Sequence, residues 1–77
     1  MSRLKLLPYN DLAKITQMVG FHWMHRRGSH NTFQAEDGRI VVIPDHGSQV
    51  IIRPLLRKII RDLGITVDEY NQLVKKL

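Results

Sequence analysis

Cysteine is absent from the 77-residue chain, which excludes disulfides and thiolate metal ligands and leaves the fold to rest on apolar packing or on a partner. Such a chain suits a reducing compartment, and a cytoplasmic location is the expectation. Long hydrophobic runs are missing as well. The longest, Ile40–Ile43 and Val50–Ile52, fall far short of the roughly 20 apolar residues of a membrane helix. Met1–Pro8 has neither the length nor the small-residue cleavage site of a signal peptide, so no targeting segment is expected. Low-complexity stretches, internal repeats and linker-like composition are also lacking. The length supports one modest core, and a single domain over residues 1–77 is the expectation.

What is present is ordinary for a globular domain except in its charge. Hydrophobic residues make up 43% and charged ones 25%, a balance that favours folding over disorder. Twelve Lys and Arg face seven Asp and Glu, for a net charge of +5. Two readings follow, a polyanion partner or a merely solvated basic surface. No segment combines a strongly basic face with a long apolar one, which argues against the membrane surface.

Along the chain, Asn10 and Asp11 read as a helix start, Leu12, Ile15 and Val19 recur at helical spacing, and Gly20 offers a left-handed stop. From Phe21 to Pro44 short apolar runs are divided by Gly28-Ser29 and Asp37-Gly38, which predicts a three-stranded meander. Pro54 suits the first turn of a second helix with an apolar stripe of Leu55, Leu56, Ile59, Ile60 and Leu63, ended by Gly64. Thr66 and Glu69 form a capping box for a third helix, whose apolar side is Val67, Tyr70, Leu73, Val74 and Leu77. The expected fold is α+β, in the order αβββαα, with a three-stranded antiparallel sheet covered by helices on one face. A two-residue turn at Asp37-Gly38 would set Phe33 opposite Val42, Ala35 opposite Ile40 and Asp45 opposite His30. It leaves His30, Thr32 and Gln34 on the open face. The same counting through Gly28-Ser29 leaves Trp23, His25 and Arg27 on the side of His30. Either a bulge shifts the first strand, or Trp23 forms an aromatic platform beside basic groups.

Four histidines in so short a chain invite a search for acid–base chemistry, since imidazole titrates near neutrality. His30 is best placed, because it follows a tight turn and is preceded by Arg26 and Arg27, cations suited to phosphate. Pro44-Asp45-His46 should lie near that turn, which makes His46 a second candidate. Its alternative is a loop residue without chemistry. His22 and His25 fall on opposite faces of a regular strand, poor geometry for a shared site. Ser29 adjoins His30, but nothing specifies a third group to complete a nucleophilic triad. The carboxylates are scattered, the glycines have turn or cap readings, and neither a metal cage nor a cofactor-binding loop is expected. Arg57, Lys58 and Arg61 cluster on the second helix, either as a solvated face or as contacts to a nucleic-acid backbone.

Gly20-Phe21, Arg27-Gly28-Ser29-His30, Pro44-Asp45-His46 and Leu56-Arg57-Lys58-Ile59-Ile60, in this order and spacing, resemble the HicA mRNA interferase family over nearly the whole chain. The resemblance implies a fold like that of the double-stranded-RNA-binding domain, cleavage of messenger RNA, and neutralisation by a HicB-type antitoxin. It implies that His30, the histidine of the Gly-Ser-His element, is catalytic. The residues themselves add His46 and Ser29 as candidate support and Arg26, Arg27, Arg57, Lys58 and Arg61 as candidate RNA contacts, with no cofactor expected. Where the family commonly starts its second helix with Gly-Thr, this chain has Arg53-Pro54, a departure that bears on local RNA contacts and leaves the histidine motif intact. The competing expectation is a non-catalytic module that binds double-stranded RNA by shape.

Overall fold

Residues 3–77 are described by the computed structural model. Their order is α1 (Tyr9–Met18), β1 (Phe21–Arg27), β2 (His30–Ala35), β3 (Ile40–Pro44), α2 (Arg53–Leu63) and α3 (Val67–Val74). This is the expected αβββαα arrangement, an α+β fold. The sheet is an antiparallel meander with β2 in the centre. Its helix-covered face supplies Phe21, Phe33, Val41 and Ile43 to a core completed by Leu12 and Ile15 of α1, Leu56, Ile59, Ile60 and Leu63 of α2, and Tyr70 of α3.

The helix punctuation explains where these elements stop. Gly64 ends α2 at φ +76, in the left-handed region that a side chain resists. Thr66 and Glu69 make both bonds of the capping box at the start of α3. The first helix begins two residues earlier than Asn10 as N-cap suggests, with Pro8 in the N-cap position and no side-chain cap. Tertiary pairing decides this. Pro8 bridges Val50, and the Ile51 amide donates to the Leu7 carbonyl at 2.8 Å, so the chain is held extended up to Pro8. Tyr70 secures the same segment, its hydroxyl donating to the Lys5 carbonyl at 2.5 Å. Leu77, expected on the apolar side of α3, lies beyond the helix and is exposed.

The β2–β3 register differs from the expected one, and the β1–β2 register takes the bulged alternative. Between β2 and β3 the loop has three residues instead of two: the Ala35 amide donates to the Arg39 carbonyl, the Gly38 amide donates to the Ala35 carbonyl, and Gly38 takes φ +92. This is the tight turn followed by a left-handed glycine that three-residue hairpins use. Phe33 is therefore opposite Val41 and Gln34 opposite Ile40, and His30 faces Pro44. The one-residue slip exchanges the faces of β3. Val41 and Ile43 are buried, while Ile40 and Val42 are 54% and 43% exposed.

In β1 the register shifts between Trp23 and His25, so Met24 is an extra residue with no partner. This is the bulge alternative, and the aromatic platform on the open face does not form. Trp23 shares the face of Phe33 and Asn31, and its indole N–H donates to Asn31 Oδ1 at 2.9 Å. The bulge also overturns the assignment of His22 and His25 to opposite faces. Paired with Gln34 and Thr32, both histidines lie on the face of His30.

Candidate functional site

Residues on either side of a two-residue turn are cross-strand neighbours, and at Gly28-Ser29 these are Arg27 and His30. Directly opposed residues on one face have Cβ atoms about 4.5–5.5 Å apart. Arg27 is thus the cross-strand partner of His30 on this face. His30 is exposed and makes no side-chain hydrogen bond or ion pair among the described residues. Its imidazole is free to meet a substrate. His25, opposite Thr32, is the diagonal neighbour of His30 on the same face, within about 7–8 Å.

The turn that carries His30 is fixed from the other side of the sheet. Arg26 alternates to the helix-covered face opposite Asn31, and its Nε donates to the Gly28 carbonyl at 2.6 Å. The next carbonyl, that of Ser29, accepts from the Asp45 amide at 2.7 Å and from Asn31 Nδ2 at 3.3 Å. Arg26 also lies 3.7 Å from Asp45. Tyr9 of α1 faces this group: burial first, then the Asp45 carboxylate, hold its phenol above the ordinary value, against the opposing effect of Arg26. Arg26 and Arg27, adjacent in sequence, therefore have different surroundings. Arg27 stands with His30, whereas Arg26 braces the turn.

Asp45 brings the β3 end to the turn through the hydrogen bond that its backbone amide donates to the Ser29 carbonyl, and its carboxylate accepts from the Gly47 amide at 2.9 Å. His46 follows in this exposed loop, where its carbonyl accepts from the Gln49 amide. Ser29 is half-buried, with its carbonyl doubly engaged.

The second-helix cations occupy a separate place. Lys58 is paired with Asp62 at 2.7 Å, one helical turn on. Arg61 lies near the C-terminal end of α2, whose Leu63 carbonyl accepts from Arg39 of the β2–β3 turn at 3.2 Å. That turn and the His30 turn sit at opposite ends of β2, about 17 Å apart for six residues. Arg57 and Arg61 are therefore not gathered around His30. No group of three or more histidines or carboxylates suited to a metal ion exists among the described residues, and none of their helices is long and apolar enough to cross a membrane.

Sequence reasoning placed His25 on the side of His30 but missed that His22, opposite Gln34, shares this face, because the bulge between Trp23 and His25 that turns it there has no glycine or proline to mark it. It also missed Asn31, a polar residue only 3% exposed beneath the turn, since nothing local distinguishes it from a surface strand residue.

Comparison with known proteins bears on what this arrangement serves. No curated protein matches the chain. A family model described as the HicA toxin of bacterial toxin–antitoxin systems matches residues 9–65, from the first residue of α1 through all three strands and α2 to the residue after Gly64. That span contains His30, its arginine neighbour and the bracing group, and the chain belongs to the HicA toxin family of bacterial toxin–antitoxin systems.

Proposed function

We propose that this toxin is an endoribonuclease, an mRNA interferase that cleaves RNA without a metal through acid–base catalysis by His30. The observation that carries the reading is the unengaged, exposed imidazole of His30 beside Arg27 on the uncovered sheet face, at the end of a turn whose two carbonyls are tied down. A neutral imidazole there removes the proton from a ribose 2′-hydroxyl, and the oxygen attacks the adjacent phosphorus. The bond from phosphorus to the 5′-oxygen breaks, leaving a 2′,3′-cyclic phosphate and a 5′-hydroxyl. Arg27 stabilises the charge on the phosphorane oxygens. The 5′-oxygen takes a proton from a second acid, for which His46 and His25 are the candidates; Ser29 contributes through its place in the turn. The fixed turn limits the wandering of the base, which favours the aligned geometry that such attack requires.

The partner under this reading is a HicB-type antitoxin that covers the edge bearing His30 and Arg27, and the working compartment is the cytoplasm. A basic site favours an acidic cover and fast capture at low salt.

The test is incubation of purified protein with a mixed RNA beside His30→Ala. Loss of a single acid or base costs ~10²–10⁴-fold in rate. A folded variant that binds RNA but no longer cleaves it supports the assignment. Equal turnover by the variant removes His30 from the chemistry, and RNA binding without cleavage by the parent protein leaves the non-catalytic RNA-binding module in its place.

A further inference from the structure

Arg53, Arg57 and Arg61 recur every four residues on α2, so they stand on one face of the helix with a rise of about 6 Å between successive side chains. All three are exposed. The extended segment before α1 runs beside the first part of this face, where Arg53 donates to the Leu4 carbonyl at 3.2 Å. Between them lies a groove of about 740 Å³ lined by Arg3, Leu4, Lys5, Leu6, Arg53 and Arg57. Four of its six lining residues are cations and none is an acid. A second depression, which shares Arg57, continues it to Arg61.

Five cations thus follow one path, and none of them forms an ion pair among the described residues. Lys58, next to Arg57 in sequence, behaves otherwise, since Asp62 engages it. Like charges kept together in this way repel one another, and an approaching polyanion relieves that repulsion by displacing counterions.

We propose that this groove is a phosphate track, in which Arg3, Lys5, Arg53, Arg57 and Arg61 hold the backbone of an RNA strand on the helical side of the molecule, away from His30. The inference rests on the reading of the protein as RNA-acting. It adds a binding site that involves none of the groups around His30. Contacts of this kind are made to phosphates and not to bases, so the track positions RNA without selecting sequence. An RNA too short to reach from His30 to the groove is handled by the His30 site alone.

The test is direct binding of a fluorescently labelled single-stranded RNA of 20 nucleotides to the full chain carrying His30→Ala, titrated from 50 to 300 mM salt. In that background, Arg3→Gln, Lys5→Gln and Arg57→Gln are combined, with Arg53 left to hold Leu4. A control removes equal charge elsewhere through Lys14→Gln, Lys75→Gln and Lys76→Gln, and circular dichroism checks that both variants fold. Each lost phosphate contact lowers the slope of log affinity against log salt by about 0.7 for a single strand, so the groove variant is expected to lose about 2 in slope and tens-fold in affinity near 150 mM salt. The control is expected to keep its slope within about 0.5 of the parent. Equal losses in both variants would mean diffuse attraction by net charge and would overturn the track. An unchanged slope in the groove variant would overturn it too, and would turn attention to an acidic protein as the groove's ligand. Should the parent chain itself fail to bind RNA, the RNA-acting reading falls and the track falls with it, which separates the two failures. A duplex RNA of equal length, run in parallel, shows whether the track prefers one form of the backbone.

Discussion

Asn31 offers the sharpest test of how the His30 turn is held. Its side chain accepts from the Trp23 indole at 2.9 Å and donates to the Ser29 carbonyl at 3.3 Å, in a position only 3% exposed. Replacing it with alanine removes both bonds. Neither former partner is stranded, however, because Trp23 is half exposed and can reach water, and the Ser29 carbonyl keeps the Asp45 amide. The loss is therefore that of two net hydrogen bonds, about 1–2 kcal/mol, and not the larger penalty of a buried unpaired group. For a domain of this size that is roughly 4–16 °C in melting temperature. Trp23 is the single tryptophan, so its fluorescence reports the unfolding of this region in a urea titration, with the slope expected to stay unchanged while the midpoint falls. Trp23→Phe and the double variant, followed by circular dichroism, complete a cycle in which the coupling between the two side chains is expected at about 0.5–1.5 kcal/mol. Strictly additive losses, or a loss below about 0.5 kcal/mol for Asn31→Ala, would refute the bracing role.

Three further outcomes are expected. RNA cleavage survives chelation of divalent metals and fails on RNA with 2′-methoxy groups, as product analysis by gel and mass spectrometry can check; inhibition by chelation that magnesium reverses would point to a metal nuclease. If the second acid is one of the two candidates, either His25→Ala or His46→Ala lowers the initial cleavage rate by ~10²-fold or more, while the other variant cleaves nearly as the parent does. Burial pushes the Tyr70 hydroxyl up to about 12; since the folded state then holds its proton more tightly than the unfolded one, the associated stability is complete below pH ~10 and declines as pH rises toward 12. Tyr70→Phe should abolish that part of the alkaline decline, and unfolding midpoints measured across this range decide it.

The elements were legible in the sequence because each carries its own punctuation. Gly64 and the Thr66–Glu69 box mark helix ends through local backbone chemistry, and Gly28 and Gly38 mark the two hairpins. Register was less legible. Asp37-Gly38 is compatible with a loop of two or three residues, and only the bond from Ala35 to Arg39 selects three, with the consequence that Val41 and not Val42 reaches the core. The Pro8 start of α1 depends on pairing with Val50, more than forty positions away. Of the candidate site, His30 and Arg27 were readable from one turn, and their adjacency follows from it. The separation of Arg26 from Arg27 follows from strand alternation. From the sequence Arg53 reads only as the residue before Pro54 at the start of the second helix, and Arg3 and Lys5 join it only through tertiary folding. The pairing of Lys58 with Asp62 was open to reading at a spacing of four.

The extra residue in β1 also bears on how readily another strand could extend the sheet. A three-stranded meander has two outer margins, β1 and β3, each able in principle to template a neighbouring chain. The unpartnered Met24 interrupts the spacing of β1 halfway along its length, so a foreign strand laid against that margin would lose register after a few residues. On the other margin, β3 is only five residues long and ends in Pro44, which has no amide to offer. Deleting Met24 would restore an even ladder with Trp23 and His25 still on their present faces, and would leave a longer uninterrupted margin open to aggregation.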